Sequence, residues 1–153
     1  MTRGLALALV LVAAPVAAQE GTPLRWQSHE AIPARLSDGF VAAQVGLAIR
    51  DAWNADNRKH AFGCLALENG LSLGVTELLK RTVHRERPDG SDHFSFPSGH
   101  TAMAMVNARP GWRYSLTVGA AWGRQAAGRH YLTDVLAGAG IGWLSSRVCR
   151  GDQ

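Results

Sequence analysis

The chain has 153 residues, 46% of them hydrophobic and 18% charged, and a formal net charge of +4. That length supports one compact domain and not two. The charge is modest and spread along the chain, without the Lys/Arg block of a nucleic-acid-binding arm, so nucleic acid is not an expected partner.

Residues 1–18 read as a signal peptide. Arg3 gives a positive start, residues 4–14 are an unbroken apolar run, and Pro15 precedes the small residues Val16-Ala17-Ala18. On this reading the protein is secreted or periplasmic, and residues 19–153 form a single helical domain. Residues 19–33 hold two prolines and no period, and are expected to be an irregular lead-in. Ser37 and Asp38 are N-cap residues ahead of Phe40, Val41, Val45, Leu47 and Ile49, a helical pattern that ends near Trp53. After a polar turn, a second helix starts near Lys59, with a break expected around Asn69-Gly70. Leu71, Val75, Leu78, Leu79 and Thr82 carry a stripe through to Arg87, where Pro88 stops it.

Residues 89–92 are a polar loop by composition. A short helix is expected from Ser98 to about Ala108, a turn at Arg109-Pro110-Gly111, and a helix from Trp112 to Ala126. Gly128 then separates a last helix, His130 to about Arg147. No strand-like alternation and no internal repeat occur. The expected architecture is all-α, a compact bundle of five or six helices. Residues 61–79 carry Glu68, Asn69 and Glu77, each costly in lipid, and residues 135–144 are too few to span it. The domain is therefore expected to be soluble or to rest on a membrane surface as a peripheral contact. Cys64 and Cys149 suit an oxidising compartment either as a disulfide or as two separate buried thiols. If paired, they close a long loop that stabilises by roughly 4 to 5 kcal/mol.

Three short patterns in the second half carry chemistry. In Lys80-x6-Arg87-Pro88 the spacing of seven is two helical turns less about 20°, which puts both cations on one face with the arginine at the helix end. Taken alone, that is also the pattern of a solvated helix face. Pro97-Ser98-Gly99-His100 opens a helix, whose unpaired N–H groups and positive dipole end attract anions. Gly99 lets the backbone approach a ligand, and the Ser98 hydroxyl can cap the helix or touch a phosphate. In Arg124-x5-His130-x3-Asp134 the carboxylate sits one turn from the imidazole, close enough to fix its tautomer and free the other nitrogen for attack. Zinc-type His and Cys spacings are absent and three cations repel a divalent ion, so no metal is expected.

These patterns resemble the type 2 phosphatidic acid phosphatase superfamily, with its bacterial acid phosphatases and vanadium haloperoxidases. The resemblance implies an acid phosphatase/vanadium haloperoxidase-like helical fold and a phosphatase that needs no cofactor. It implies that His130 attacks phosphorus to form a phosphohistidine, that Asp134 orients it, and that His100 protonates the leaving oxygen. Lys80, Arg87, Ser98, Gly99 and Arg124 would hold the phosphate oxygens. Two departures stand out. Gly123 occupies a place where the family usually has serine, and the His100–Arg124 interval is shorter than the family norm by roughly two helical turns. A hairpin shortened equally on both arms returns Arg124 to the level of Ser98; an unequal cut swings it away.

The expected activity is hydrolysis of phosphate monoesters, with a phosphorylated small molecule or lipid (a lipid phosphate or lipid pyrophosphate) as substrate. The alternatives are a degenerate domain that binds phosphate without turnover, or a vanadate-dependent haloperoxidase. Phe94 and Phe96 flank the second motif and either meet a substrate or pack a loop. Oligomeric state is not readable.

Overall fold

The computed structural model describes residues 31–149. The expected signal segment and most of the expected lead-in lie outside them. Five helices make up the described chain: α1 (Ala31–Trp53), α2 (Arg58–Val83), α3 (Gly99–Val106), α4 (Arg113–Ala126) and α5 (Leu132–Ser145). No strand occurs among the described residues. The most extensive packing is α3 on α5 and α1 on α4.

Helix α1 begins at Ala31, six residues before Ser37, so the expected start is corrected. Pro33 falls in the first turn, where a missing N–H costs nothing. Ser37 is instead a buried contact on α4, its Oγ donating to the Ala120 carbonyl at 2.9 Å. Gln44, two turns on, donates to the Arg113 carbonyl at 2.7 Å. The two helices can lie this close because α4 presents glycine. A Cβ on Gly123 would stand 2.6 Å from the Pro33 carbonyl oxygen and 2.9 Å from Ser37 Cβ. The departure from serine at this position thus has a packing reason: any side chain would push α1 off α4.

Helix α2 runs unbroken through Asn69-Gly70, against expectation. A mid-helix glycine costs only about 1 kcal/mol relative to alanine, and the Asn69 amide is anchored to the Leu65 carbonyl (2.8 Å) and Asn107 (3.1 Å). The helix ends earlier than expected. His84 takes a left-handed conformation (φ 47°) as its C-cap, its N–H meeting the Lys80 carbonyl, so Arg85 to Pro88 lie in a loop. Lys80 and Arg87 therefore do not share a helix face. Cys64 and Cys149 are joined, tying α2 to the segment after α5 across 85 residues of sequence.

Helix α5 starts at Leu132, two residues later than expected, leaving His130 in the preceding loop. Gly138 and Gly142, one turn apart, face α3 so closely that a Cβ on either would run into the Ser98 or Ala102 carbonyl. That contact seats the start of α3 on α5. No helix among the described residues is long and apolar enough to cross a membrane.

Candidate active site

The N-termini of α3 and α5 and the C-terminus of α4 meet at one end of the bundle. His130, only 3% exposed, sits in the loop between α4 and α5. Its Nδ1 lies 2.6 Å from the Ser95 carbonyl oxygen. A carbonyl only accepts, so Nδ1 carries the hydrogen and Nε2 keeps its lone pair. Burial, and then the charges of Arg87 and Arg124, hold this imidazole below its usual pKa, while Asp134 opposes them. At neutral pH the ring is uncharged.

Asp134 Oδ2 stands 3.8 Å from His130 Nδ1, beyond a hydrogen bond. The carboxylate acts mainly at one remove. It accepts from Ser95 Oγ at 2.5 Å and from the Tyr131 N–H at 2.9 Å, which fixes the peptide that holds the imidazole. Its other oxygen accepts from Arg85 Nη1 at 2.8 Å, and the Arg85 guanidinium lies 4.1 Å over the Tyr131 ring. Burial works to raise the Asp134 pKa, but the neighbouring ring, Ser95, the Tyr131 amide and Arg85 outweigh it and hold the carboxyl below its usual value. The Asp134 carbonyl also accepts from the Ser98 N–H at 2.9 Å, locking α3 to α5 at the site.

Ser98 is fully buried as the N-cap of α3, its hydroxyl accepting from Thr101 Oγ1 at 3.1 Å. The backbone N–H groups of Gly99 and His100 open the helix without intrahelical acceptors, a donor set suited to an anion. Lys80 reaches the same turn: its Nζ would be 3.7 Å from a Cβ on Gly99. Arg87 comes from the loop after α2, held by Asp92 (Nε to Oδ1, 2.7 Å) and the Arg129 carbonyl (3.2 Å).

Arg124 closes the set. The turn at residues 109–111 returns α4 along α3, and the Arg124 guanidinium comes back into the neighbourhood of His100. One Asp38 oxygen lies 2.9 Å from His100 Nε2 and 3.9 Å from Arg124 Nη1. Arg124 Nε is buried with no hydrogen-bond partner among the described residues, which suits it to an oxygen of a bound anion. Arg87 and Arg124 both act on His130, and Arg124 and His130 both act on His100, so the four groups share one electrostatic neighbourhood.

Three residues of this site carry no sequence signal of their own. Ser95 and Arg85 lie near motifs but fit no spacing rule. Asp38 reads as a helix cap because Ser-Asp before an apolar run normally is one. Phe96 is buried at 2% exposure and packs the loop, whereas Phe94 is exposed and lies against the His84 ring.

An apolar groove of about 670 Å³ is lined mainly by residues of α3, α4 and α5. Its lining includes Thr101, Gln125 and Leu132, neighbours in sequence of His100, Arg124 and Tyr131, together with Val118, Trp122 and Leu136. Those last three are more than half exposed, and the volume is in the range of small-ligand pockets.

The family described as the PAP2 superfamily matches residues 61–152. Among curated proteins, the lipid A 1-phosphatase of Porphyromonas gingivalis is 32% identical over 119 residues, covering 61% of this chain and 26% of that protein. The chain thus spans about a quarter of that relative's length. No solved structure matches it.

Proposed function

The chain belongs to the PAP2 superfamily, and on that footing we propose that it hydrolyses phosphate monoesters through a phosphohistidine at His130. The observation that carries this is a buried, neutral imidazole with Nδ1 tied to a backbone carbonyl and Nε2 free, among Arg87, Arg124 and His100. Nε2 attacks phosphorus as the ester P–O bond breaks, and His100 donates a proton to the departing oxygen. His100 then takes a proton from water as water attacks phosphorus and the P–N bond breaks, releasing phosphate. Lys80, Arg87, Arg124 and the first amides of α3 bear the charge on the equatorial oxygens throughout. These fixed cations supply the charge stabilisation that a metal provides elsewhere.

The preferred substrate is a phosphorylated amphiphile, whose hydrocarbon part lies in the apolar groove lined by α3, α4 and α5. The name of the Porphyromonas relative supports a lipid phosphate. The disulfide supports an oxidising compartment outside the cytoplasm. The test is phosphate release from p-nitrophenyl phosphate and decyl phosphate by the full chain, with and without chelator. Turnover that survives chelator, with a histidine-bound phosphate trapped by rapid alkaline quench, is the expected result. Absence of turnover on both esters, or turnover that chelator abolishes, would overturn the proposal.

A further inference from the structure

We propose that Asp38, on the helix that precedes the family-matched segment, is a positioning residue that holds His100 ready as the proton donor to the leaving group. This rests on the phosphatase reading above. The geometry is specific. Asp38 Oδ1 stands 2.9 Å from His100 Nε2 as an ion-pair contact, which leaves Nδ1 as the nitrogen able to serve the leaving oxygen. An imidazole gripped at Nε2 by a carboxylate keeps its second proton more readily and cannot rotate away.

The placement of Asp38 is built into the fold. Ser37, its neighbour, is fully buried and bonded to the Ala120 carbonyl. Gly123, the residue before Arg124, lies so close to the α1 backbone that a Cβ there would run into the Pro33 carbonyl. These contacts bring the start of α1 down over the site and leave Asp38, itself 59% exposed, facing both His100 and Arg124.

The other groups around His100 make the carboxylate necessary. Burial, Arg124 on α4 and His130 ahead of α5 all disfavour a charged ring, and Lys80 on α2, itself 3.7 Å from Glu77, reaches the neighbouring Gly99. Asp38 is the group that works the other way. Without it, His100 loses its proton at a lower pH.

The experiment compares Asp38→Asn and Asp38→Glu with the unaltered protein on two esters. Decyl phosphate leaves as an alkoxide that needs a proton; p-nitrophenyl phosphate leaves as a stable anion that does not. Asp38→Asn is expected to lose about tenfold or more in kcat/KM on the alkyl ester and less than about threefold on the nitrophenyl ester. The alkaline limb of its pH profile moves to lower pH, and Asp38→Glu recovers most of both. Equal losses on the two esters with an unmoved alkaline limb would reduce Asp38 to a packing role and overturn the inference. NMR titration of the His100 ring in the resting protein reads the same link without turnover. Its pKa falls in Asp38→Asn if the inference holds, and an unchanged value refutes it. Should the unaltered protein hydrolyse neither ester, the functional reading fails, and the titration alone decides the Asp38–His100 link.

Discussion

The two imidazoles of the site are held by opposite means. His130 is buried and fixed by a backbone carbonyl, which a buried carboxylate and Arg85 brace in turn. His100 is half exposed and tied to one carboxylate on the surface of another helix. The difference fits the roles proposed for the two rings. A nucleophile needs one nitrogen, uncharged, aimed at phosphorus, and burial with a fixed tautomer supplies that. A proton donor needs to gain and lose charge in each turnover, which deep burial forbids and a solvated carboxylate permits.

The first way to break this comparison is His130→Ala. If the buried ring is the nucleophile, phosphate release falls by about 10⁴-fold or more and the histidine-bound phosphate is no longer trapped. A residual rate within tenfold of the original would move the nucleophile elsewhere.

The two carboxylates sharpen it further. Asp134→Asn leaves the Arg85 guanidinium, little exposed, without its charge partner, so stability is expected to fall by about 3 kcal/mol or more, and activity by about 100-fold as the Ser95 carbonyl loses its brace. Asp38→Asn removes a charge from an exposed site, and unfolding in urea is expected to shift by no more than about 0.5 kcal/mol. Equal destabilisation by both variants would erase the distinction between the two sides.

The pH profile tests both rings together. Burial depresses each imidazole below its ordinary value near 6.5. His130 must be neutral to attack, so activity rises as pH climbs through its lowered pKa. His100 must be protonated to donate, so activity is lost as pH rises through its own. The maximum in kcat/KM is therefore expected on the acid side of pH 6.5, and an optimum at pH 8 or above would contradict the assignment of roles.

The sequence disclosed the two sides unequally. The all-α class followed from helical periodicity, and the family from three motifs whose residues are close in the chain. Local spacing failed where the chain left the helix. Arg87 approaches from a loop and not from the helix that carries Lys80, because His84 ends α2 early in a left-handed turn that no proline announces. Asp134 was readable as a partner of His130, yet its hold runs through Ser95, whose carbonyl says nothing in a sequence. Asp38 was legible only as a cap, since its true position depends on how closely α1 can lie against Gly123, a fact of tertiary packing. The cysteine pair was open for the same reason.

The smallest expected effect probes what lies beyond both imidazoles. Leu136 is 62% exposed on the groove wall, so Leu136→Gln is not expected to alter the fold. A hydrocarbon tail passing it loses the contact of about one methylene, a factor of roughly two to four in KM. That penalty is expected for decyl phosphate and absent for p-nitrophenyl phosphate, whose ring stays at the mouth of the groove. Because kcat for both esters depends on His130 and His100, it is expected to stay unchanged. A variant that weakens the two esters alike would separate the groove from the substrate and leave Lys80, Arg87, Arg124 and the start of α3 as the whole of the proposed binding site.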